Sequence, residues 1–463
     1  MRVPAVFAYA PNSLEAAGIT TLTNYVAKHD LRGKTAFLRL ELNVTFEIKD
    51  GQLAIKDDKR ILKALPDLIT LLKAGANVVI AYHVEDKANV AQTNDGCYNN
   101  RLICEALGRL LGNQVGRPIK IIRVEENQFW GKEAFEKVTG LEAGEADVLL
   151  LQNVRMNPDD RRAEKKNSPA LVSGLVDAVD LVVDAATGVM HRVGATNVKI
   201  KQVTKAAGKP VIAGDIFIGE IDTLQRLING MRENPAASVV AIGGSKIVGD
   251  AKSDELGKID VLKTFIAMGV GHILISGKMS LPFMVAKGWL IGSARVDEAE
   301  QEAATAILAA AHKAGTEIHI PRDFVTVALD DLDAALKKES VDYSVEANLQ
   351  RGRIQLDIGP ETQAIYEGII HAATYGFVNG PAGLFENALF AKGTHAIARA
   401  ISTRPQTGLF IVGGGDTGAA MGDILGKSTE FNVQLPGGGA PFTYIGKGGD
   451  LESINAMRHG VPQ

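Results

Sequence analysis

The sequence predicts an α/β protein with two Rossmann-like lobes, each a parallel sheet flanked by helices. Three observations support this fold class. Short apolar runs recur along the whole chain, and continuous runs of this kind are typical of strands buried on both faces of a parallel sheet. Amphipathic segments separate the runs, as helices do in βαβ units. Polar and glycine-rich residues follow many of the runs, at the strand ends where ligands bind in doubly wound sheets.

The first half of the chain contains six predicted strands. They cover residues 35–42, 77–83, 119–124, 147–153, 181–186 and 210–214. Segment 60–76 lies between the first two, and its apolar residues recur at intervals of three and four. That spacing indicates a helix with one buried face.

The second half contains five predicted strands, at 238–244, 272–277, 317–323, 376–381 and 409–415. Between the two sets, residues 215–235 have the pattern of one amphipathic helix that ends in an Asn-Pro turn. We therefore predict a first lobe over 1–214, a hinge helix over 215–235 and a second lobe over 236–440.

Composition narrows the functional class. The chain has 463 residues, and 46% of them are hydrophobic. The formal net charge is −4 and no Lys/Arg-rich block occurs, so we expect no nucleic-acid partner. No apolar run reaches the roughly 18 residues of a membrane span, so we expect no membrane partner. The two cysteines, Cys97 and Cys104, form no disulfide framework, which favours a reducing, cytoplasmic location.

The segment FIVGGGDTGAAMGD, residues 410–423, contains a glycine loop between a predicted strand and a predicted helix. This G-x-G-x-x-G pattern fits a dinucleotide fingerprint, a phosphate cradle for a mononucleotide, or a tight turn without a ligand. A dinucleotide fold requires an acid at the end of the next strand, about 20 residues on. Here the segment EFNVQLPGGGA has no acid after its strand, which disfavours the dinucleotide and leaves the other two interpretations open.

The predicted strand ends of the two lobes carry different chemistry. The first half offers Arg60, His83, Arg155 and Arg192, and guanidinium groups match carboxylate and phosphate. The second half offers glycine loops, Lys246 and Asp416, which suit nucleotide phosphates and a metal ion. An anion lobe and a nucleotide lobe together indicate phosphoryl transfer with closure.

Nine motifs in order resemble the phosphoglycerate kinase family. They are GKTAFLRLELNVTF, DDKRILKALPDLITLLKAGANVVIAYH, VLLLQNVRM, DLVVDAATGVMHRVGAT, AIGGSK, LDIGPETQAIYEGIIHAAT, VNGPAGLFENALFAKGTHAIA, GGGDT and PGGGAPF. The resemblance implies a glycolytic enzyme, a monomer that transfers phosphoryl between ATP and the carboxylate of 3-phosphoglycerate with Mg²⁺ and hinge closure. It also implies that the tail, 441–463, packs back on the first lobe.

The resemblance also implies functional residues, each of which has a plainer structural interpretation. The residues matched to the acid substrate are Glu41, Asn43, Arg60, His83, Arg155 and Arg192. The residues matched to the nucleotide are Gly244, Lys246, Lys258, Asn379, Pro381, Glu386, Gly413, Gly414, Gly415, Asp416 and Thr417. Of these, Arg60, Lys246 and the amides of Gly414 and Gly415 are expected to contact the transferred phosphoryl group, and Asp416 to bind Mg²⁺. Alone, Arg60 would be a surface helix residue and Asp416 a helix N-cap.

Several positions depart from the family pattern. Glu41 stands where the family has Asp. After His83 the family's phosphate-binding Arg is missing; Asp86 lies near that place, and Lys87 is a weaker substitute because it lacks the guanidinium fork. An insertion, IVGDAKSDELG, leaves Lys258 or Lys252 as the second nucleotide lysine, and we favour Lys258.

These departures leave two alternative functions. One is a kinase for another small phosphorylated or carboxylated acid. The other is a non-catalytic nucleotide-binding paralogue, which the retention of Arg60, Lys246 and the GGGDT loop disfavours.

Overall fold

Two six-stranded parallel sheets organise the residues that the computed structural model describes, which are 18–84, 98–112, 114–244, 257–435 and 439–458. The predictions for the N-terminal residues and for Asp86, Lys87, Lys246 and Lys252 lie outside these ranges. By its contacts the described chain divides into two units. Residues 18–222 and 450–458 form the first unit, and Thr223–Gly449 forms the second.

The sheet of the first unit has the strand order β5-β6-β4-β1-β7-β8, and every pair in it is parallel. The strands of this unit are β1 (Thr35–Arg39), β2 (Phe46–Lys49), β3 (Gln52–Ile55), β4 (Asn77–Ala81), β5 (Ile121–Arg123), β6 (Val148–Leu150), β7 (Leu181–Asp184) and β8 (Val211–Ala213). Strands β2 and β3 form a separate antiparallel hairpin. In the six-stranded sheet the chain reverses its direction of strand addition between β1 and β7, which is where doubly wound sheets bind ligands.

Helices cover the sheet of the first unit. They are α1 (Leu22–Val26), α2 (Lys59–Lys73), α3 (Tyr98–Leu111), α4 (Lys132–Glu142), α5 (Pro158–Lys165), α6 (Ser173–Asp177) and α7 (Ile200–Ala206), the last preceded by a π-helix at Ala195–Lys199. Helix α2 buries Ile61, Leu65, Leu68 and Leu72 in the same hydrophobic core as strand β1. The apolar residues that recur at intervals of three and four therefore face the sheet, as expected of an amphipathic helix.

The sheet of the second unit has the order β11-β10-β9-β15-β16-β17, again with every pair parallel. Its strands are β9 (Ser238–Ile242), β10 (His272–Ile275), β11 (Glu317–His319), β15 (Tyr375–Asn379), β16 (Leu409–Gly413) and β17 (Asn432–Leu435). Strands β12 (Phe324–Ala328), β13 (Tyr343–Glu346) and β14 (Arg353–Ile358) form a separate antiparallel sheet. The six-stranded order is that of doubly wound nucleotide-binding folds, with its switch point between β9 and β15.

The remaining helices follow in chain order. They are α8 (Asp215–Glu233), α9 (Lys258–Ala267), α10 (Ser280–Ala286), α11 (Glu298–Ala314), α12 (Leu332–Leu336), α13 (Pro360–Ala372), α14 (Lys392–Thr403), α15 (Gly415–Leu425), α16 (Gly439–Gly446) and α17 (Glu452–Asn455). None of the helices that the structure describes has the length and hydropathy of a bilayer span.

The predicted fold class is confirmed, with two parallel sheets flanked by helices. The strand inferred in the segment EFNVQLPGGGA is β17, whereas the β2–β3 hairpin and the β12–β14 sheet were not among the predicted strands. Strand β13 shows why: its residues alternate between exposed and half-buried, so it contains no continuous apolar run. Tertiary pairing sets such strands more than local pattern does.

The division between the units falls inside α8, between Asp222 and Thr223. Helix α16 belongs to the second unit and is buried over residues 440–445. Residues 441–449 group with the second unit and residues 450–458 with the first, and the predicted bounds of the lobes and of the returning tail stay predictions. A hinge motion of α8 remains a prediction.

Candidate functional site

A basic cluster lies at the carboxyl ends of strands in the first sheet. Arg39 ends β1, while His83, Arg155 and Arg192 follow β4, β6 and β7, and these four strands are consecutive in the sheet. Arg60 lies in the first turn of α2. The charges of Arg39, Arg60, Arg155 and Arg192 all act on the His83 side chain. The structure therefore brings together the predicted residues Arg60, His83, Arg155 and Arg192 and adds Arg39.

His83 is buried, with 3% of its surface exposed. Its Nδ1 lies 3.1 Å from Nη2 of Arg39. Because a guanidinium only donates, Nδ1 accepts and the ring proton sits on Nε2. Burial first, and then the four neighbouring arginines, hold the pKa of His83 well below its ordinary value. The neutral ring can donate from Nε2–H to an anion.

Arg39 was not predicted as a site residue. It is 2% exposed and donates to the backbone carbonyls of Leu40 and Ala81 and to the hydroxyl of Thr196, besides His83. Burial lowers the pKa of its guanidinium. Arg39 therefore fixes the His83 ring from behind. The sequence contained a signal for this residue. Arg39 is the single charged residue in the buried strand TAFLR, and arginine is rarely buried unless it has a partner.

Glu41 and Arg60 form an ion pair, with 3.0 Å between Oε1 and Nη1. The exposed fractions of the two side chains are 13% for Glu41 and 27% for Arg60. Burial raises the pKa of Glu41, against the opposing effect of Arg60 and Arg39. A Cβ on Gly188 would lie 2.6 Å from Oε2 of Glu41, so the longer acid fits here because residue 188 has no side chain. Glu41 orients the guanidinium of Arg60.

Asn153 shapes the loops that carry two of the predicted residues. Its Oδ1 accepts from the backbone N–H groups of Val84, 3.2 Å away, and of Arg155, 3.1 Å away. Arg155, Arg192 and Asn43 are each half-buried. The loops after β4 and β6 are therefore tied to each other next to His83.

The second unit contains a cleft of about 980 Å³ at the switch point of its sheet. The loop after β9 lies against the loop after β15. Gly243 N–H donates to the Asn379 carbonyl (3.0 Å), and Gly244 N–H donates to the Pro381 carbonyl (2.9 Å). A Cβ on Gly243 would lie 2.2 Å from the Pro381 carbonyl oxygen, so this approach requires glycine.

Lys258 begins α9 and reaches this loop. Its Nζ donates to the carbonyl of Gly243 and would lie 3.1 Å from a Cβ on Gly244. Both Gly244 and Lys258 line the cleft. This position supports the preference for Lys258 as the second nucleotide lysine, although Lys252 lies outside the described residues.

The GGGDT loop joins β16 to α15 on the same cleft. Gly414 has a φ of +118°, and a Cβ there would lie 2.8 Å from the Thr417 hydroxyl. The Gly414 N–H donates to the Leu435 carbonyl, 3.2 Å away. This bond to strand β17 occupies the amide that the sequence assigns to a phosphate, and that assignment stays a prediction. Gly415 and the exposed Asp416 instead open the first turn of α15, where N–H groups face outward.

The other predicted nucleotide residues support or line the same cleft. Asn379 Nδ2 donates to the Gly413 carbonyl (2.8 Å), and the Thr417 hydroxyl accepts from Gly380 N–H (2.8 Å). These two bonds join the ends of β15 and β16. Glu386 is exposed in the turn after β15, and with Pro381 it lines the cleft.

An apolar wall completes the cleft and was not predicted. Its side chains come from α10, α12, α16, the β12–β14 sheet and a nearby loop, and they are Leu281, Phe324, Leu336, Leu356, Phe385 and Phe442. Such a wall suits the flat face of a base. Local pattern gave no signal for it, because apolar residues scattered over several elements resemble ordinary core.

Comparison with known proteins shows the family of the chain. The phosphoglycerate kinase family profile matches residues 26–447. The chain belongs to this family. Curated phosphoglycerate kinases similar to it include those of Leifsonia xyli subsp. xyli and Thermosipho africanus (strain TCF52B). The Leifsonia protein is 34% identical over 416 residues, 90% of this chain and 94% of that one. The Thermosipho protein is 32% identical over 429 residues, 92% and 96% respectively.

Solved phosphoglycerate kinases share the fold. The structure from Coxiella burnetii has a TM-score of 0.67 at 24% identity and covers 93% of this chain and 97% of its own. The structure from Pyrococcus horikoshii OT3 has a TM-score of 0.66 at the same identity and coverage. At this identity the likeness concerns the fold alone.

Proposed function

We propose that the chain catalyses reversible phosphoryl transfer between ATP and the carboxylate of 3-phosphoglycerate, with Mg²⁺, in glycolysis and gluconeogenesis. Membership of the phosphoglycerate kinase family over residues 26–447 supports this activity. The observation that carries it is the cluster of four arginines around one neutral histidine in the first unit. Such a cluster suits a small acid that carries both a carboxylate and a phosphate.

In this proposal the first unit binds the acid. His83 donates from Nε2–H, while Asn43, Arg155 and Arg192 contact the carboxylate and phosphate oxygens. Arg60, oriented by Glu41, neutralises charge on the phosphoryl group in transit. Interactions that strengthen as charge develops lower the barrier more than uniform binding does.

The second unit binds the nucleotide in the same proposal. Lys258 and the loop at Gly244 hold the phosphates, Glu386 contacts the ribose, and the apolar wall takes the base. The first turn of α15 supplies outward N–H groups at the positive end of the helix dipole. Lys246, which we also assign to the transferred phosphoryl, lies outside the described residues.

Asp416 would hold Mg²⁺. Its carboxylate is exposed on the cleft wall in the first turn of α15, and a hard cation prefers such oxygen ligands together with phosphate oxygens. When bound, the ion neutralises charge on the nucleotide phosphates.

The chemical step needs no protein nucleophile. A carboxylate oxygen of the acid attacks the γ-phosphorus, one O–P bond forms, and the bond to the β–γ bridging oxygen breaks to release ADP. The protein contributes positioning and charge neutralisation. We assign the closing motion to α8, and we propose that the enzyme works as a cytoplasmic monomer without nucleic-acid or membrane partners.

The test is a coupled assay with Mg-ATP and 3-phosphoglycerate that detects 1,3-bisphosphoglycerate through its reductase. Turnover that depends on both substrates supports the proposal. Absence of turnover while calorimetry still shows ATP binding overturns it.

A second candidate is a kinase for another small phosphorylated acid. Glu41 in the place of the family's Asp favours it, because this carboxylate, one methylene longer, lies in the acid site beside Arg60. A panel of phosphorylated acids, assayed for ADP release, distinguishes this candidate from a non-catalytic paralogue, which would release none.

A further inference from the structure

A cluster of two histidines and one glutamate lies on the edge pair of strands in the second unit. His272 begins β10, while Glu317 and His319 are the first and last residues of β11. In the parallel register His272 is the partner of Glu317. Residues two apart in a strand share a face, so all three side chains project from the same face of the sheet.

Their ligand atoms have the separations of a metal's coordination shell. Nδ1 of His272 lies 3.1 Å from Nε2 of His319 and 3.5 Å from Oε2 of Glu317, and the last two atoms are 3.6 Å apart. A point equidistant from these three atoms in their plane is about 2.0 Å from each. Zn²⁺ bonds of about 2.1 Å place the ion roughly 0.7 Å above that plane, which is the height required of a tetrahedral centre with three protein ligands.

We propose that His272, Glu317 and His319 form a binding site for a divalent first-row transition ion, with Zn²⁺ as the representative. Two imidazoles and one carboxylate are a donor set that zinc enzymes use with an open fourth position. Imidazole disfavours Mg²⁺, which prefers oxygen ligands. The site is therefore chemically distinct from the Mg²⁺ position that we assign to Asp416.

The surroundings of the cluster permit an ion to enter. The exposed fractions of the side chains are 32% for His272, 69% for Glu317 and 22% for His319. The positive charge of Arg322 would repel a cation, but Arg322 forms an ion pair with Glu361, 3.6 Å away. The strand bearing His319 is anchored from below, because the hydroxyl of Tyr366 donates to its backbone carbonyl, 3.0 Å away.

The site lies apart from the nucleotide cleft. His272 and Glu317 are the first residues of their strands. The first residue after His272 that lines the cleft is Gly277, which lies beyond the carboxyl end of β10. A bound ion would join the edge strand β11 to β10 across their pairing. The inference therefore does not depend on the proposed kinase activity.

The experiment is calorimetric titration of the untagged, full-length protein with ZnCl₂ in excess Mg²⁺. We expect the wild type to bind one equivalent of Zn²⁺ more than His319→Ala, or to bind that equivalent at least about tenfold more tightly. Loss of a residue that only supports a metal ligand already lowers metal affinity by about that factor. The matched control is His312→Ala, which removes an exposed histidine of α11 in the same unit. It should titrate like the wild type.

A second variant protects the test against misfolding. Glu317→Gln changes an exposed side chain and keeps its size. Co²⁺ in the wild type should give the intense visible absorption of a tetrahedral centre, and Glu317→Gln should weaken it. Identical Zn²⁺ titrations of wild type and His319→Ala, identical Co²⁺ spectra of wild type and Glu317→Gln, or displacement of the ion by Mg²⁺ would each overturn the proposal.

Discussion

The acid site is built from charged side chains that hold one another in place. Arg39 fixes the His83 ring and Glu41 fixes Arg60, while Gly188 leaves the room that Glu41 occupies. Each of these pairs is largely removed from water, and electrostatic contacts are stronger in the protein interior than in water. Small geometric changes here should therefore affect the reaction more than the fold.

Arg60→Ala should lower turnover by on the order of 10²–10³-fold, as removal of one preorganised donor does in other enzymes. Nucleotide affinity, measured by calorimetry, should stay unchanged because Arg60 belongs to the other unit. Arg109→Ala is the control, since it removes an exposed arginine whose partner is Asp58. Near wild-type turnover in Arg60→Ala would contradict the role assigned to this residue.

Gly188→Ala should impair the use of the acid substrate. The added Cβ would lie 2.6–3.1 Å from all three carboxylate atoms of Glu41, so the acid must move and Arg60 with it. A displacement near 1 Å can cost about a hundredfold, which steady-state kcat/KM for the acid would show.

A double variant tests the cause. Glu41→Asp shortens the acid, so Gly188→Ala combined with Glu41→Asp should lose less activity than the two single effects predict. Gly108→Ala, where an added Cβ meets nothing within 4 Å, is the control. Additive losses would show that Gly188 acts in some other way.

Among the elements, α8 begins at an unusual carboxylate. Asp67 of α2 is fully buried, and its Oδ1 accepts from the Asp215 N–H, 2.9 Å away, at the start of α8. Burial and the nearby Asp215 charge raise the pKa of Asp67 to about 7. The start of the proposed hinge helix therefore depends on a group that titrates near neutral pH.

The raised pKa of Asp67 gives stability a defined pH dependence. A carboxyl whose folded pKa of about 7 exceeds its ordinary 3.8 stabilises the fold fully below pH 3.8, and that stability is lost as the pH rises through 7. Asp67→Asn cannot ionise. Its free energy of unfolding, relative to wild type, should therefore rise by roughly a few kcal/mol between acid and mildly alkaline pH.

Chemical denaturation at a series of pH values measures this difference. Asp177→Asn, an exposed site at the end of α6, should reproduce the wild-type pH dependence. An Asp67→Asn curve parallel to that of the wild type would refute the assignment.

Some helices and strands can be predicted from the sequence pattern alone, and others cannot. The buried run TAFLR and the three-and-four spacing of α2 predict a strand and a helix, since each has one dominant burial pattern. Strand β13 alternates between exposed and half-buried residues, and Tyr343–Glu346 becomes a strand only by pairing with β12. Patterns fail where a neighbour, rather than burial, decides the conformation.

For the molecule as a whole, the C-terminal segment is fastened to the first unit. Lys201 of α7 is fully buried, pairs with Asp184 and donates to the carbonyl (2.9 Å) and hydroxyl (2.7 Å) of Ser453. The Ser453 hydroxyl in turn donates to Asn197, 3.0 Å away. One ammonium group thus joins a sheet strand, a helix and the end of the chain.

Lys201→Met should destabilise the first unit by about 3–5 kcal/mol, because it leaves the Asp184 carboxylate buried without its partner. Thermal and denaturant unfolding would measure the loss. Adding Asp184→Asn should recover part of it by removing that charge. Arg32→Ala, which breaks an exposed pair with Asp30, should change little. Equal effects of Lys201→Met and Arg32→Ala would contradict this account.

The sequence by itself determined the α/β class, the approximate places of eleven strands of the two parallel sheets, the residue types of both sites and the family resemblance. These depend on apolar periodicity and on motifs that are local in the chain. Only the tertiary structure decided that Arg39 backs His83, that β17 uses the Gly414 amide, and that His272 meets His319. Strand order in a sheet makes neighbours of residues far apart in sequence, and periodicity along one segment carries no information about which strand lies beside it.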